Sequence, residues 1–330
     1  MNSIKKIESC NELKKIRNFK SPTHLILFRG QDKNYIPKPT AARQFIIEKQ
    51  KLQRKDYEKF VEEFKIINPA INHERVARTF SKIFTSLYPD YSSWIQFERN
   101  QSELELVQIL LQALRQQYSR TALLLDVTTD LSVALKMAQL QFRVEATPID
   151  GRFVYRAIKR NPKDHVFLSV YKVPFEDILN FQEDPNSYLD KAKQLRKYAE
   201  VTNGKYFALN CSNMYRAKRL VNQSSYFLSY FPHSKYDLTI NKYRFDKIFD
   251  REVFQIQVEL IDKYFEYELN LDTAIDLFPS DDLVLQWVNS RSAERKVANK
   301  EKKLYDDDLG ISIYHYFSSL DFLYCPTSLA

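Results

Sequence analysis

Only four of the 330 residues are glycine, and one of them, Gly30, follows the apolar run Leu25-Ile26-Leu27-Phe28 with only Arg29 between. Sparse glycine restricts where a backbone can turn with positive φ or accept a close neighbour, since every other residue carries a Cβ. An apolar run of this length reads as a buried strand, here at 24–28. Glycine at its end permits a turn, or the close approach of a ligand that a side chain would block. Arg29 offers a rigid, planar fork suited to phosphate or carboxylate. Phe28-Arg29-Gly30-Gln31 is therefore the first candidate site, and a strand-ending turn with a surface arginine is its plain alternative.

The length suits one large domain or two small ones. A hydrophobic fraction of 44%, with 23 Phe and 21 Tyr, supplies a core rich in aromatic rings. A charged fraction of 28% without Gly/Ser-rich or Pro-rich tracts argues against long disordered stretches. No apolar run approaches the roughly 20 residues of a membrane span, and the first residues lack the apolar core of a secretory signal. Cys10, Cys211 and Cys325 form neither a disulfide framework nor a zinc pattern. A reducing cytoplasm is the expected compartment. None of the five histidines has a ligand-like partner spacing, so no metal is expected. The net charge of +8 is uneven: residues 1–60 hold 15 Lys and Arg against 6 Asp and Glu. That surplus around Arg29 suits a polyanion, either nucleic acid or a phosphate-bearing cofactor, or else a solvated basic face.

Along the chain, Ser9-x-x-Glu12 has capping-box spacing and predicts a helix to about residue 19, ended by Ser21-Pro22. Helices are expected over 44–67 and 72–87. Another opens at Ser102-x-x-Glu105, with Leu104, Val107, Leu111, Leu114 and Tyr118 on one buried face. A strand follows at 122–126, then Thr128-Thr129-Asp130 as the N-cap region of a helix at 131–140. Strands are expected at 152–158, 166–173, 205–209, 226–231 and 253–260, with helices at 186–200 and 281–303. Helix-rich first and strand-rich later means α+β. The strands of Arg29 and Asp126 joining the later sheet would make one domain with a helical insertion at 44–118.

Several of these segments, in order, resemble the FRG domain family, named for its Phe/Tyr-Arg-Gly motif. Phe28-Arg29-Gly30-Gln31 matches the opening signature, and Pro39-Thr40-Ala41-Ala42-Arg43 is similar to the Pro-Ser-x-x-Arg-type segment after it. Gln116-Gln117-Tyr118 and Leu124-Leu125-Asp126-Val127-Thr128-Thr129 resemble the central Gln-His-Tyr-Gly…Leu-Leu-Asp-Trp-Thr block. Arg219 to Phe227 resembles a later Arg-x-x-x-Gln-x-Gly-x-Phe-type segment, and Leu309-Gly310-Ile311-Ser312 with Phe317 to Asp321 the closing piece. The resemblance covers about residues 20–325. The chain departs from the pattern at Gln117 for His, Ser119 for Gly, Val127 for Trp and Ser225 for Gly.

A second resemblance supplies a chemistry. Arg-Gly on a first core strand, Ser/Thr on a second and Glu/Gln on a third is similar to the layout of ADP-ribosyltransferases. It implies a mixed or antiparallel core sheet and NAD⁺ as substrate. Phe28, Arg29, Gly30, Gln31, Arg43, Tyr118, Thr129 and Arg219 would line the NAD⁺ site. Arg29, Thr128, Gln223 and Asp126 would serve catalysis: Arg29 on NAD⁺, Gly30 against nicotinamide, Thr128 positioning the ribose and Gln223 in the third-strand role. Glutamine cannot act as a general base, so the acid group would be Asp126 or Glu252, unless the target needs no base or the fold is inactive. The resemblance further implies a toxin or phage-defence effector acting on nucleic acid or protein, with an antitoxin or other regulatory protein as partner. Residue by residue, other readings stay open: Asp126-x-Thr128 also suits a helix cap, Gln223 a buried amide, Arg43 and Arg219 ion pairs, and Tyr118 core. The reading from another class is a non-catalytic module. It would bind nucleic acid or protein through the basic segment and Tyr35, Phe45, Tyr57 and Phe60.

Overall fold

The computed structural model describes residues 4–34, 84–91, 109–114, 124–146, 153–182, 184–231, 245 and 249–268. Arg43, Tyr118, Tyr35, Phe45, Tyr57, Phe60, most of the 44–118 insertion and the helix expected at 281–303 lie outside them. The fold is α+β around an eight-stranded mixed sheet. Its strands are β1 (Ile4–Ile7), β2 (His24–Gln31), β3 (Leu125–Thr128), β6 (His165–Pro174), β7 (Ile178–Asn180), β8 (Lys205–Asn210), β9 (Ser225–Phe231) and β10 (Asp250–Gln257). Their order across the sheet is β1-β10-β6-β2-β3-β9-β8-β7. The six inner strands are antiparallel throughout, and β1 and β7 add a parallel strand at either edge. A separate two-stranded sheet pairs β4 (Leu140–Ala146) with β5 (Phe153–Lys159).

The helices start where local chemistry starts them. Before α1 (Cys10–Asn18), Ser9 and Glu12 form the reciprocal capping box, which satisfies two of the orphan N–H groups of the first turn. Asp130 caps α2 (Leu131–Gln139) by accepting from the Ser132 amide at 2.7 Å. Asp184 caps α3 (Pro185–Val201) through the amides of Asn186 and Ser187, with Pro185 in the first turn, where its missing N–H costs nothing. A short α4 (Lys218–Asn222) precedes β9, and α5 (Val258–Glu268) follows β10 without a break.

Strand alternation sorts the core into three groups. On one face of the sheet, Ile26, Phe28, Val166, Leu168, Val170, Phe254 and Ile256 pack with α1, α2 and α5. On the same face over the other half, Phe207, Leu209, Phe227 and Phe231 pack with α3 and with residues 84–91 and 109–114. The opposite face carries one core that spans both halves, with Leu27, Leu125, Val127, Tyr171, Tyr226, Leu228 and Phe249. Each large apolar side chain so buried contributes about 1.5–3 kcal/mol relative to exposure. Between the two helix-covered cores, the strand order brings β2 beside β3.

Four expectations change. The strand at 24–28 runs on to Gln31, so Arg29 and Gly30 lie within a strand and not in a turn; each has a partner on β6, Ser169 and Leu168. The strand expected at 122–126 is Leu125–Thr128, placed by its pairing with β9 from Leu228 to Ser225. The run 253–260 is divided: β10 ends at Gln257, opposite the first residue of β6. The amides of Val258 and Glu259 then donate to the carbonyls of Asp164 and Pro162, at 3.0 and 2.9 Å, and start α5. A strand that has run out of partner turns into a helix whose first amides are already satisfied. In the helix expected from Ser102, residues Ile109, Leu110, Leu111, Ala113 and Leu114 are all buried, so packing surrounds this stretch on more than one face.

Candidate functional site

The signature segments meet where β2, β3 and β9 run side by side. β2 and β3 share a single register pair, Phe28 opposite Thr128, whereas every other neighbouring pair in this sheet shares three or more. Past that pair, Arg29–Gln31 stays with β6 while Leu125–Val127 stays with β9. The two halves of the sheet part there, and backbone groups along the gap need other partners. Arg29 supplies one: its Nη1 donates to the main-chain oxygen of Asp126 at 2.5 Å. The same nitrogen lies 3.9 Å from Asp126 Oδ2, with the Arg29 side chain 15% exposed and that of Asp126 44% exposed. At that distance and exposure the ionic part is worth about 0–1 kcal/mol, so the bond to the carbonyl fixes the guanidinium more than the charge does.

Arg29 and Gly30 project from opposite faces. Gly30 shares the face of Phe28, against α2. A Cβ built on Gly30 would stand 1.8 Å from the Ala134 carbonyl oxygen and 2.8 Å from the Cβ of Ala138. The absence of a side chain is thus used by a helix, not left open for a ligand. Arg29 leaves from the other face, beside Ser169, and its guanidinium turns into the gap. Phe28 is buried in the α2-side core. Gln31 ends β2 on the Arg29 face. It is only 8% exposed, and its Oε1 has no hydrogen-bond partner among the described residues.

Thr128 and Gln223 are joined directly. The Thr128 hydroxyl donates to the Gln223 carbonyl at 2.7 Å and accepts from the Asp130 amide at 3.0 Å. The Thr129 amide donates to the Ser224 carbonyl at 3.4 Å. Thr128 therefore closes the turn into α2 and ties it to the turn into β9. Gln223 is not on a third strand. It is the C-cap residue of α4, two positions before β9, and it is buried. Ser224 beside it has φ 44°, the left-handed region that non-glycine residues rarely adopt. Arg219 lies on α4, 2% exposed, and its carbonyl accepts from the Gln223 amide.

Glu252 is remote from this junction. It sits on β10, three strand spacings or roughly 14 Å from β3. Lys5 at 2.6 Å and Lys172 at 3.1 Å hold it. The hydrogen bond from Lys5 does most to push its carboxyl below the usual glutamate range, with that from Lys172 adding to it. A carboxylate stabilised in that way is a poor proton acceptor, which leaves Asp126 as the carboxylate at the junction.

Two residues that sequence reasoning passed over complete the Arg29 face. Ser169, fully buried, stands opposite Arg29 on β6. Arg251 of β10, 8% exposed, donates to Ser169 Oγ from Nε and Nη2 at 3.2 and 2.9 Å, and to Asn34 Oδ1 at 3.5 Å. A lone serine within the stretch 166–171, otherwise apolar or aromatic, was the available signal. Among the described residues, no group of three or more His, Cys, Asp or Glu is placed to hold a metal ion, and no helix is long and apolar enough to cross a membrane. Neither a protein-family model, nor a curated protein, nor a solved structure matches this chain.

Proposed function

We propose that this chain is an FRG-type protein that binds NAD⁺ at the β2–β3 junction and acts as an ADP-ribosyltransferase-like enzyme. The observation that carries the reading is the adjacency of the three signature segments: Arg29 on β2, Thr128 on β3 and Gln223 in the turn before β9, with the Thr128 hydroxyl bonded to the Gln223 carbonyl. Arg29 also fits a phosphate. Its Nη1 is held by Asp126, while its Nε is buried with no hydrogen-bond partner among the described residues. An oxoanion would supply the acceptor that this buried N–H lacks. Cleaving the nicotinamide–ribose bond develops positive charge on the sugar, which a nearby carboxylate stabilises; Asp126 has that part. Thr128 positions the backbone around the site, its hydroxyl being engaged on both sides. The acceptor is nucleic acid or protein, within a toxin or phage-defence role.

A second reading, a non-catalytic binding module, is favoured by two observations: α2 occupies the space beside Gly30, and Thr128 bonds only to backbone. Incubation with labelled NAD⁺ and DNA, RNA or protein extract separates the two. The enzyme releases nicotinamide and transfers label, and Arg29→Ala abolishes both. No release and no transfer with any acceptor sinks the transferase reading. Salt-dependent nucleic-acid binding that survives Arg29→Ala establishes the module.

A further inference from the structure

The sheet face opposite α2 carries a cluster of polar groups in a setting that is otherwise apolar. Arg29 and Gln31 project from this face of β2, Ser169 from β6 directly opposite Arg29, and Arg251 from β10. Buried polar atoms are nearly always hydrogen-bonded, and one left without a partner costs about 1–3 kcal/mol. Here two such atoms sit two residues apart on one strand face: Arg29 Nε, a donor, and Gln31 Oε1, an acceptor. A third vacancy is implied at Ser169. Its oxygen accepts twice from Arg251, so its own O–H remains to donate, and it has no acceptor among the described residues.

We infer that Arg29, Ser169 and Arg251 form a subsite for a phosphate group, with Gln31 as its acceptor. The donor inventory decides the chemistry. The Arg29 edge and the Ser169 hydroxyl present N–H and O–H bonds, and Arg251 adds a second guanidinium held in place by that same hydroxyl, so the complement is an oxoanion. Gln31 then discriminates among oxoanions. A carboxamide oxygen needs a proton from the ligand. Inorganic phosphate keeps at least one at neutral pH and a sugar phosphate carries hydroxyls beside it, whereas sulfate offers none. Of these side chains Arg29 is 15% exposed, whereas Ser169 is fully buried. As the seat of the NAD⁺ pyrophosphate, it rests on the reading above; as a phosphate site, it stands alone.

The test is phosphorus-31 NMR of inorganic pyrophosphate and of inorganic phosphate with the full chain, with sulfate as competitor. Melting midpoints of each variant verify folding. Wild type is expected to broaden and shift the phosphorus signal, and sulfate to compete at least tenfold less well than phosphate. Ser169→Ala and Arg29→Lys are expected each to weaken pyrophosphate binding about tenfold or more. Arg29→Lys keeps the charge but not the fork, so it reports on geometry even where Ser169→Ala lowers the melting point. No broadening in wild type, unchanged binding in both variants, or equal competition by sulfate would overturn the assignment. Pyrophosphate binding that depends on Ser169 without any release of nicotinamide from NAD⁺ upholds the subsite and sinks the transferase reading. Nicotinamide release that is indifferent to Ser169→Ala and Arg29→Lys does the opposite.

Discussion

The Thr128 hydroxyl bonds to the Gln223 carbonyl across 95 residues of sequence, and the bond ties the end of β3 to the turn that begins β9. Because the same hydroxyl accepts from Asp130, it also closes the turn into α2. One side chain thus sets the position of a helix relative to the half of the sheet that the helix does not cover. Thr128→Val keeps the shape and removes both bonds, leaving a buried carbonyl and an amide without partners. It is expected to cost about 1–3 kcal/mol in urea unfolding. Thr128→Ser, which keeps the hydroxyl, is expected to lose well under half of that. Equal losses in the two variants would show that the methyl group matters and the bonds do not.

Gly30→Ala tests the approach of α2 to β2. The added Cβ meets a helix carbonyl, not the end of a flexible side chain. Helix or strand must move, at about 2–3 kcal/mol by the usual cost of overpacking. Thermal and urea midpoints report this directly. A neutral result would mean that α2 does not pack on Gly30. Loss of NAD⁺ binding in this variant at unchanged stability would assign the glycine to a ligand.

Asp126→Asn separates charge from structure. The main-chain oxygen that holds Arg29 is retained and only the carboxylate charge is lost. On the transferase reading, nicotinamide release is expected to fall about a hundredfold in kcat with little change in KM. A KM effect alone would place Asp126 in binding, not in the chemical step.

The Lys5–Glu252–Lys172 cluster gives a pH dependence with a definite sign. The folded-state pKa of Glu252 is lowered, first by the bond from Lys5, so its contribution is fully present above the ordinary glutamate range and is lost as pH falls through the lowered value. Wild type is therefore expected to be more stable than Glu252→Gln at neutral pH, with the difference vanishing in acid. Melting curves of both proteins from pH 7 downward check this. A gap that is constant with pH would mean that the carboxylate charge contributes nothing. Since Glu252 is remote from the junction, this variant is expected to leave NAD⁺ handling unchanged.

Much of the local structure was legible in the residues. Ser9 and Glu12 cap α1 as their spacing requires, Asp130 caps α2, and the aromatic, β-branched runs from residue 165 onward are strands within a residue or two of their expected ends, save β10, which starts three residues earlier than expected and passes into α5. These features depend on groups a few positions apart. The strands β1, β4 and β7 were not legible, since two of them are only four and three residues long and exist because β10 and β8 offer an edge. The serine and arginine of the Arg29 face, Ser169 and Arg251, were missed for a related reason. Each is unremarkable in its own strand and acquires meaning only beside the other.

By itself the sequence determined that Arg29-Gly30 follows an apolar strand-forming run, that Thr128 precedes a capped helix, and that the fold mixes helices with an aromatic-rich sheet. Tertiary structure decided what those residues do. Gly30 is required by a helix more than 100 residues further on, Arg29 faces the other side of the sheet, and Gln223 meets Thr128 through its backbone from a turn and not from a strand. The physical reason is that propensity and capping act over one or two turns of chain. Which face a side chain shows, and which carbonyl a strand leaves unpaired, depends on register with partners distant in sequence. The single pair between β2 and β3 is such a register effect, and the candidate site lies in the gap beyond it.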